Sequence, residues 1–187
     1  MASLVDKIWN SHIIDKIKDF DVLYIDKLFL HDLTSLRAFQ NVINADRTVF
    51  QPENVFVIPD HIPQCTNDEN SKKLKKEISE YSRKLGLNYI DYNSENYGII
   101  HLMVDKLGFD INNMLIAGGD SHMPIAGAFS SLAFAIGTKD IERVLLNQSL
   151  PLKKPGKVSI ILEGNKNKDT TEFDIMLYLM DVCRNGI

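Results

Sequence analysis

Residues 117–127 read Ala-Gly-Gly-Asp-Ser-His-Met-Pro-Ile-Ala-Gly and hold the densest chemistry in the chain. The two glycines let the backbone turn sharply and leave space beside it. Asp120, Ser121 and His122 then present a carboxylate, a hydroxyl and an imidazole that takes or gives a proton near neutral pH. A Gly-Asp-Ser turn capping a helix would read the same, but the pattern recurs. His31-Asp32 follows the apolar run Leu28-Phe29-Leu30, Asp60-His61 follows the apolar segment 54–58, and His101 follows Gly98-Ile99-Ile100. Four of the five histidines thus stand beside segment ends, His12 being the exception.

Paired Asp and His side chains suit general acid–base work. The carboxylate fixes the imidazole tautomer and supports its cationic form. The chain has no G-x-S-x-G elbow, which disfavours serine-hydrolase chemistry. It also lacks HExxH or comparable ligand spacing, so metal-dependent hydrolysis has little support and no metal ligand set is assigned.

These groups converge only if strands deliver them to one edge. Apolar runs predict strands over 22–26, 54–58, 88–92, 114–117 and 157–162. Helical spacing predicts helices over 4–19, 34–44, 70–85, 99–107, 127–136, 138–147 and 171–184. Thr34 or Ser35 is the expected cap of the second and Thr138 of the sixth. The apolar character of 127–136 throughout suggests a helix buried on most sides. Strands alternating with helices argue for a three-layer α/β/α lobe with a mainly parallel sheet, in which C-terminal strand ends share an edge.

The 187 residues suit a single α/β lobe spanning 1–187. With 44% hydrophobic and 25% charged residues the composition is that of an ordinary globular protein. A net charge of −4 and a pI near 5.7 argue against nucleic acid as a partner. Lys72-Lys73-Leu74-Lys75-Lys76 lies among Glu69, Glu77 and Glu80 and reads as a solvated helix face. The N-terminus does not resemble a signal peptide, and no apolar run reaches membrane-span length. Cys65 and Cys183 form no CxxC pair, so free thiols in a soluble, cytoplasmic protein are expected.

Taken in order, Tyr24-Ile25-Asp26, His31-Asp32-Leu33-Thr34-Ser35, Asp60-His61, Gly98-Ile99-Ile100-His101 and Gly119-Asp120-Ser121-His122 resemble the aconitase superfamily. Gly127-Ala128-Phe129 with Leu132-Ala133-Phe134-Ala135-Ile136-Gly137-Thr138 is especially similar to the large subunits of 3-isopropylmalate dehydratases. The resemblance runs from about Tyr24 to the C-terminus. It implies a hydro-lyase that moves a hydroxyl on a small di- or tricarboxylate by dehydration and rehydration, with a [4Fe-4S] cluster as Lewis acid. It implies Asp60, His61, His101, Asp120 and His122 as catalytic residues, His61 protonating the departing hydroxyl, and His31 and Ser121 as substrate contacts.

The family's three cluster cysteines, two of them as CxxC, belong to a later part of its chain. Neither Cys65 nor Cys183 falls at a ligand position. Met123-Pro124-Ile125 also replaces the threonine usual after Gly-Asp-Ser-His in the isopropylmalate enzymes. The chain is therefore expected to be the first lobe of such an enzyme, inactive alone and needing further domains or companion subunits. The alternative is a non-catalytic module that binds a carboxylate or a partner protein.

Overall fold

Leu28, Phe29 and Leu30 alternate between the two faces of a strand, yet all three are fully buried. Such a strand must be central in a sheet covered on both sides. A computed structural model, which describes residues 2–62, 66, 68–108 and 110–184, places it there. Strand β3 (Lys27–Leu30) pairs in parallel with β4 (Val55–Val57) on one side and β6 (Leu115–Gly118) on the other. With β5 (Asn88–Tyr89) and β7 (Leu132–Ala135) the sheet has five parallel strands in the order β5-β4-β3-β6-β7.

Alternation divides the core. Leu28, Leu30, Val55, Val57, Leu115 and Ala117 share one apolar cluster with Phe39, Ile78 and Val144. Those three belong to helices α2 (Asp32–Asn44), α3 (Glu69–Lys84) and α4 (Thr138–Asn147). Phe29, Ile116 and Ala133 belong to the opposite cluster, with Ile100, Met103, Met123 and Ala126. That layer is built on the short 3₁₀ turns Ile100–Leu102 and Met123–Phe129 instead of α-helices. The three-layer α/β class expected from the sequence holds, and one covering layer is irregular.

Several expected elements take other forms. Helix α1 spans only Leu4–Ser11; Ile13–Ile17 forms strand β1, turns at Lys18 in the left-handed region, and pairs antiparallel with β2 (Phe20–Tyr24). The β-branched isoleucines favour the pleated surface once a partner strand is adjacent. β2 also pairs with β8 (Ser149–Leu152), completing a small antiparallel sheet. The buried helix expected over 127–136 is the end of a 3₁₀ turn followed by β7, with Ser130 left-handed between them. A continuous apolar run fits a buried strand as well as a helix. The helix expected over 99–107 shrinks to Ile100–Leu102. Helix α2 is capped by His31, whose ring accepts the Leu33 N–H, and α4 by Gly137.

The chain divides into two compact units, Met1–Lys153 and Lys154–Ile187. The second holds helix α5 (Glu172–Val182), capped by Thr171 in a reciprocal capping box with Asp174. The strand expected over 157–162 is absent: the segment is irregular and exposed, and no described strand pairs with it. No α5 residue is buried. Among the described residues no helix is long and apolar enough to cross a membrane.

His12, expected to stand away from segment ends, caps the C-terminus of α1. Its Nδ1 donates to the Ile8 carbonyl at 2.6 Å and its Nε2 meets Asp26 Oδ2 at 2.7 Å. Both nitrogens face acceptors, so the ring is bound as imidazolium. The Asp26 hydrogen bond raises its pKa above the ordinary value, against the opposing effect of burial. Asp26 Oδ2 also accepts the Leu115 N–H at 2.7 Å, so one carboxylate ties α1 to the start of β6. A raised folded pKa stabilises fully below the ordinary value of 6.5 and is lost as pH rises through the folded value. The stability advantage of the native chain over His12→Gln, measured by urea unfolding, is therefore expected to shrink as pH rises above 6.5. An advantage that grows with pH would contradict the imidazolium assignment.

Candidate active site

Strand order reverses at the centre of the sheet. From β3 the chain proceeds to β4 and β5 on one side, while β6 and β7 lie on the other. At such a switch point the connections leave adjacent strand ends in opposite directions and open a crevice. His31-Asp32 leaves the end of β3 there, and Gly119-Asp120 leaves the end of β6.

His31 bridges the two exits. Its Nδ1 accepts the Leu33 N–H at 3.1 Å, so the proton sits on Nε2, which donates to the Gly119 carbonyl at 2.9 Å. The residue is 3% exposed. Burial lowers its pKa first and the neighbouring His61 adds to the shift, which keeps the ring neutral. Its face stacks on His61, with centroids 4.0 Å apart and planes 27° from parallel.

Asp32, buried beneath, accepts the N–H groups of His61 at 3.2 Å and Ile62 at 2.8 Å. It thereby fixes the loop after β4. Asp60 on that loop holds His61 Nδ1 at 2.6 Å through Oδ1, and through Oδ2 it accepts the Ile100 N–H at 2.8 Å. His61 Nδ1 is also 3.7 Å from Asp32 Oδ1. Two carboxylates therefore face one imidazole whose side chain keeps 36% of its surface open.

The second group centres on Asp120. Its Oδ1 accepts the His122 backbone N–H at 2.6 Å and lies 2.9 Å from His122 Nδ1. Its Oδ2 lies 3.3 Å from His101 Nδ1. Burial pushes the carboxyl up, but the His122 N–H and the two imidazoles outweigh it and hold Asp120 below the usual range. The two rings stack with centroids 4.8 Å apart. Ser121 Oγ is 3.4 Å from His122 Nδ1. With Nδ1 committed to a carboxylate on His61, His101 and His122, no described residue occupies the Nε2 of any of them.

The residues expected from sequence thus form two neighbouring groups. The Asp60–Ile100 bond joins the first to the segment carrying His101, and the His31–Gly119 bond joins it to Asp120. Sequence reasoning passed over Asp32 as a site residue, although a buried carboxylate in the first turn of α2 organises the first group. Thr34 was also passed over; its Oγ1 lies 3.3 Å from His31 Nε2. The only signal was nearness to a histidine at a strand exit, Asp32 directly after His31 and Thr34 three residues on. A larger cleft of about 500 Å³ lies within the second unit along residues 161–175 and carries no histidine.

His31, Asp32, Asp60 and His61 place one potential donor atom each within 4.8 Å of one another, as do His101, Asp120 and His122. In both sets the carboxylates already serve N–H groups, and both nitrogens of His31 are occupied. Imidazole and carboxylate do not fit a [4Fe-4S] cluster, which takes thiolates. Among the described residues the one thiol is Cys183, in the second unit; Cys65 lies outside them.

Residues 6–186 match the family model described as Aconitase family (aconitate hydratase). The 3-isopropylmalate dehydratase large subunit of Bacteroides fragilis is 34% identical over 188 residues, covering 96% of this chain and 40% of that protein. The protein of the same name from Cytophaga hutchinsonii is 33% identical, covering 95% and 40%. The chain therefore spans about 40% of the length of these relatives.

Gly119 is where the site tolerates least. A Cβ there would collide with Thr34 Oγ1 and meet the Ile141 side chain at 3.5 Å. Gly119→Ala is expected to cost about 1–3 kcal/mol by denaturant unfolding, the range for overpacking. Thr34→Ala in the same background is expected to return part of that loss, giving a favourable coupling in the double-mutant cycle. Additive effects would show that Thr34 is not the obstacle.

Proposed function

The chain belongs to the aconitase family, and from that premise we propose that it carries acid–base groups of a hydro-lyase acting on a small hydroxy-carboxylate such as isopropylmalate. The observation that carries this reading is the shared orientation of three imidazoles. His61, His101 and His122 each turn Nδ1 to a largely buried carboxylate and keep Nε2 for a substrate at the switch-point crevice.

Dehydration breaks a C–O bond and a C–H bond on the neighbouring carbon. A base takes the proton from carbon, and the departing hydroxide needs a proton to leave as water. His61 delivers it from Nε2. Asp60 at 2.6 Å orients the ring through Nδ1, with Asp32 at 3.7 Å. The neutral His31 ring stacked on it fixes its plane without competing for the proton. His101 and His122, held on Asp120 through Nδ1, face the substrate with Nε2, where one of them takes the proton from the neighbouring carbon and gives it back on rehydration. Ser121 adds a hydroxyl to substrate binding beside His122.

In the family a [4Fe-4S] cluster supplies Lewis-acid chemistry at the hydroxyl. The donors described in this chain do not hold it, so its thiolates are assigned to further polypeptide of the same enzyme. The absence of thiol donors among the site residues favours a second reading, a carboxylate- or partner-binding module without catalysis.

Anaerobic iron–sulfur reconstitution separates the two. Visible cluster absorbance and isopropylmalate dehydration are expected when the chain is combined with a companion polypeptide bearing CxxC, and not with the chain alone. In that complex His61→Asn is expected to lower kcat by about 10²–10⁴-fold, the usual worth of a positioned general acid. Neither colour nor turnover with the companion present would favour the binding module.

A further inference from the structure

The loop that carries Asp60 and His61 is gripped from two directions. Asp32 takes the His61 and Ile62 N–H groups. The carbonyls on either flank go to two tyrosines. Tyr97 donates its hydroxyl to the Pro59 carbonyl at 3.1 Å, and Tyr92 donates to the Ile62 carbonyl at 3.0 Å. The two bonds bracket Asp60-His61.

Both tyrosines lie between β5 and the turn Ile100–Leu102. The chain bends twice there: the Ser94 N–H donates to the Asp91 carbonyl at 2.9 Å, and the Tyr97 N–H to the Ser94 carbonyl at 3.0 Å. The bends bring the two rings together, with centroids 5.1 Å apart and planes 43° from parallel. From α3, Lys75 stands over the Tyr92 ring, its Nζ 5.4 Å from the centroid, and donates to the Thr66 carbonyl at 3.2 Å. A tyrosine side chain has few torsions to fix, so a packed ring places its hydroxyl at small loss of entropy. Burial raises the pKa of both hydroxyls, and nearby carboxylates add to it, Asp32 at Tyr92 and Asp60 at Tyr97. Both groups therefore stay protonated donors through the neutral range.

The same stretch leads into the second group. Before the tyrosines, the Ile90 N–H donates to the Val57 carbonyl at 2.9 Å. After them, the Ile100 N–H donates to Asp60 Oδ2 at 2.8 Å, and His101 follows directly. These bonds stitch residues 90–100 along residues 57–62.

We infer that Tyr92 and Tyr97 are positioning residues, which hold the Asp60-His61 pair in register with His101 through the carbonyls on either side of the pair. The inference rests on the acid–base reading above and adds residues that act through the loop backbone. A supporting shell of this kind keeps acid–base groups within the narrow geometry that proton transfer needs.

The test uses the 187-residue chain with Tyr92→Phe, Tyr97→Phe and the two together, followed by NMR. Ring ¹⁵N shifts of the neutral imidazole read the His61 tautomer. Amide exchange reads the His61 and Ile62 N–H groups that Asp32 holds. Each lost hydroxyl is expected to speed that exchange about fivefold, the worth of an ordinary hydrogen bond. The doubly substituted chain is expected to show the Nε2–H form of His61 beside the Nδ1–H form, with His122 unchanged. Tyr24→Phe removes a hydroxyl bound to Gln51 at 2.6 Å, away from the loop, and is expected to leave His61 as it is. Exchange in β3 and β6 shows whether the sheet is intact, and the single substitutions carry the test if the double one unfolds.

An unchanged His61 tautomer with unchanged exchange in the Phe variants, or a loosening shared equally by β3 and β6, would overturn the inference. The native chain separates this from the reading beneath it. A native Nδ1–H tautomer that does not respond to the tyrosines defeats the positioning role alone. Absence of that tautomer from the native chain defeats the acid–base reading, and the positioning role with it.

Discussion

The site depends on one hydrogen bond, from His31 Nε2 to the Gly119 carbonyl across the switch point of the sheet. It spans 88 residues of sequence and joins the exits of two adjacent parallel strands. Its partner contact, Nδ1 accepting the Leu33 N–H, requires a neutral His31, and burial together with the neighbouring His61 supplies that condition. The bond also requires glycine at 119, because Thr34 fills the space a side chain would take. With those exits fixed, His61 has a rigid face to stack on, and Asp120 starts from a fixed point at the end of β6.

The carboxylates follow a common economy. Asp60 and Asp120 each accept a backbone N–H and also hold an imidazole, while Asp32 accepts two backbone N–H groups within 4 Å of His61 Nδ1. Burying a carboxylate is costly unless its oxygens are hydrogen-bonded, and N–H donors meet that cost. The same bonds fix the loops that carry the histidines. Each imidazole is then oriented by its Nδ1 partner, as ligand or acid–base histidines are oriented by outer carboxylates.

The irregular layer over one face of the sheet serves the same end. A long α-helix there would bury its apolar stripe against Phe29 and Ile116 and leave no recess. Short 3₁₀ turns bury Ile100, Met123 and Ala126 and still keep Leu102, Ile125 and Phe129 at the surface beside His101. In the second unit α5 exposes Phe173, Met176, Leu177 and Tyr178 without a described partner, and the alternating segment before it finds no strand to pair with.

Residue types and spacing along the chain carried the class of fold and the candidate site residues. The order of Asp60-His61, His101 and Asp120-Ser121-His122 at strand or loop exits marked the candidate site. Apolar runs alternating with amphipathic stretches marked a parallel α/β sheet. Both signals are local, because residue type and period are written in neighbouring positions. Helix against strand in apolar runs such as 127–136 was not legible, since burial on every side erases the period that separates them. Nor was the role of Asp32, whose donors lie about 30 residues away, or the capping of α1 by His12, whose carboxylate lies 14 residues on. Which ring nitrogens are occupied, both on His12 and His31 and Nδ1 alone on His61, His101 and His122, came from the folded chain. A tautomer is set by the partner across the fold, and no spacing along the chain encodes that partner.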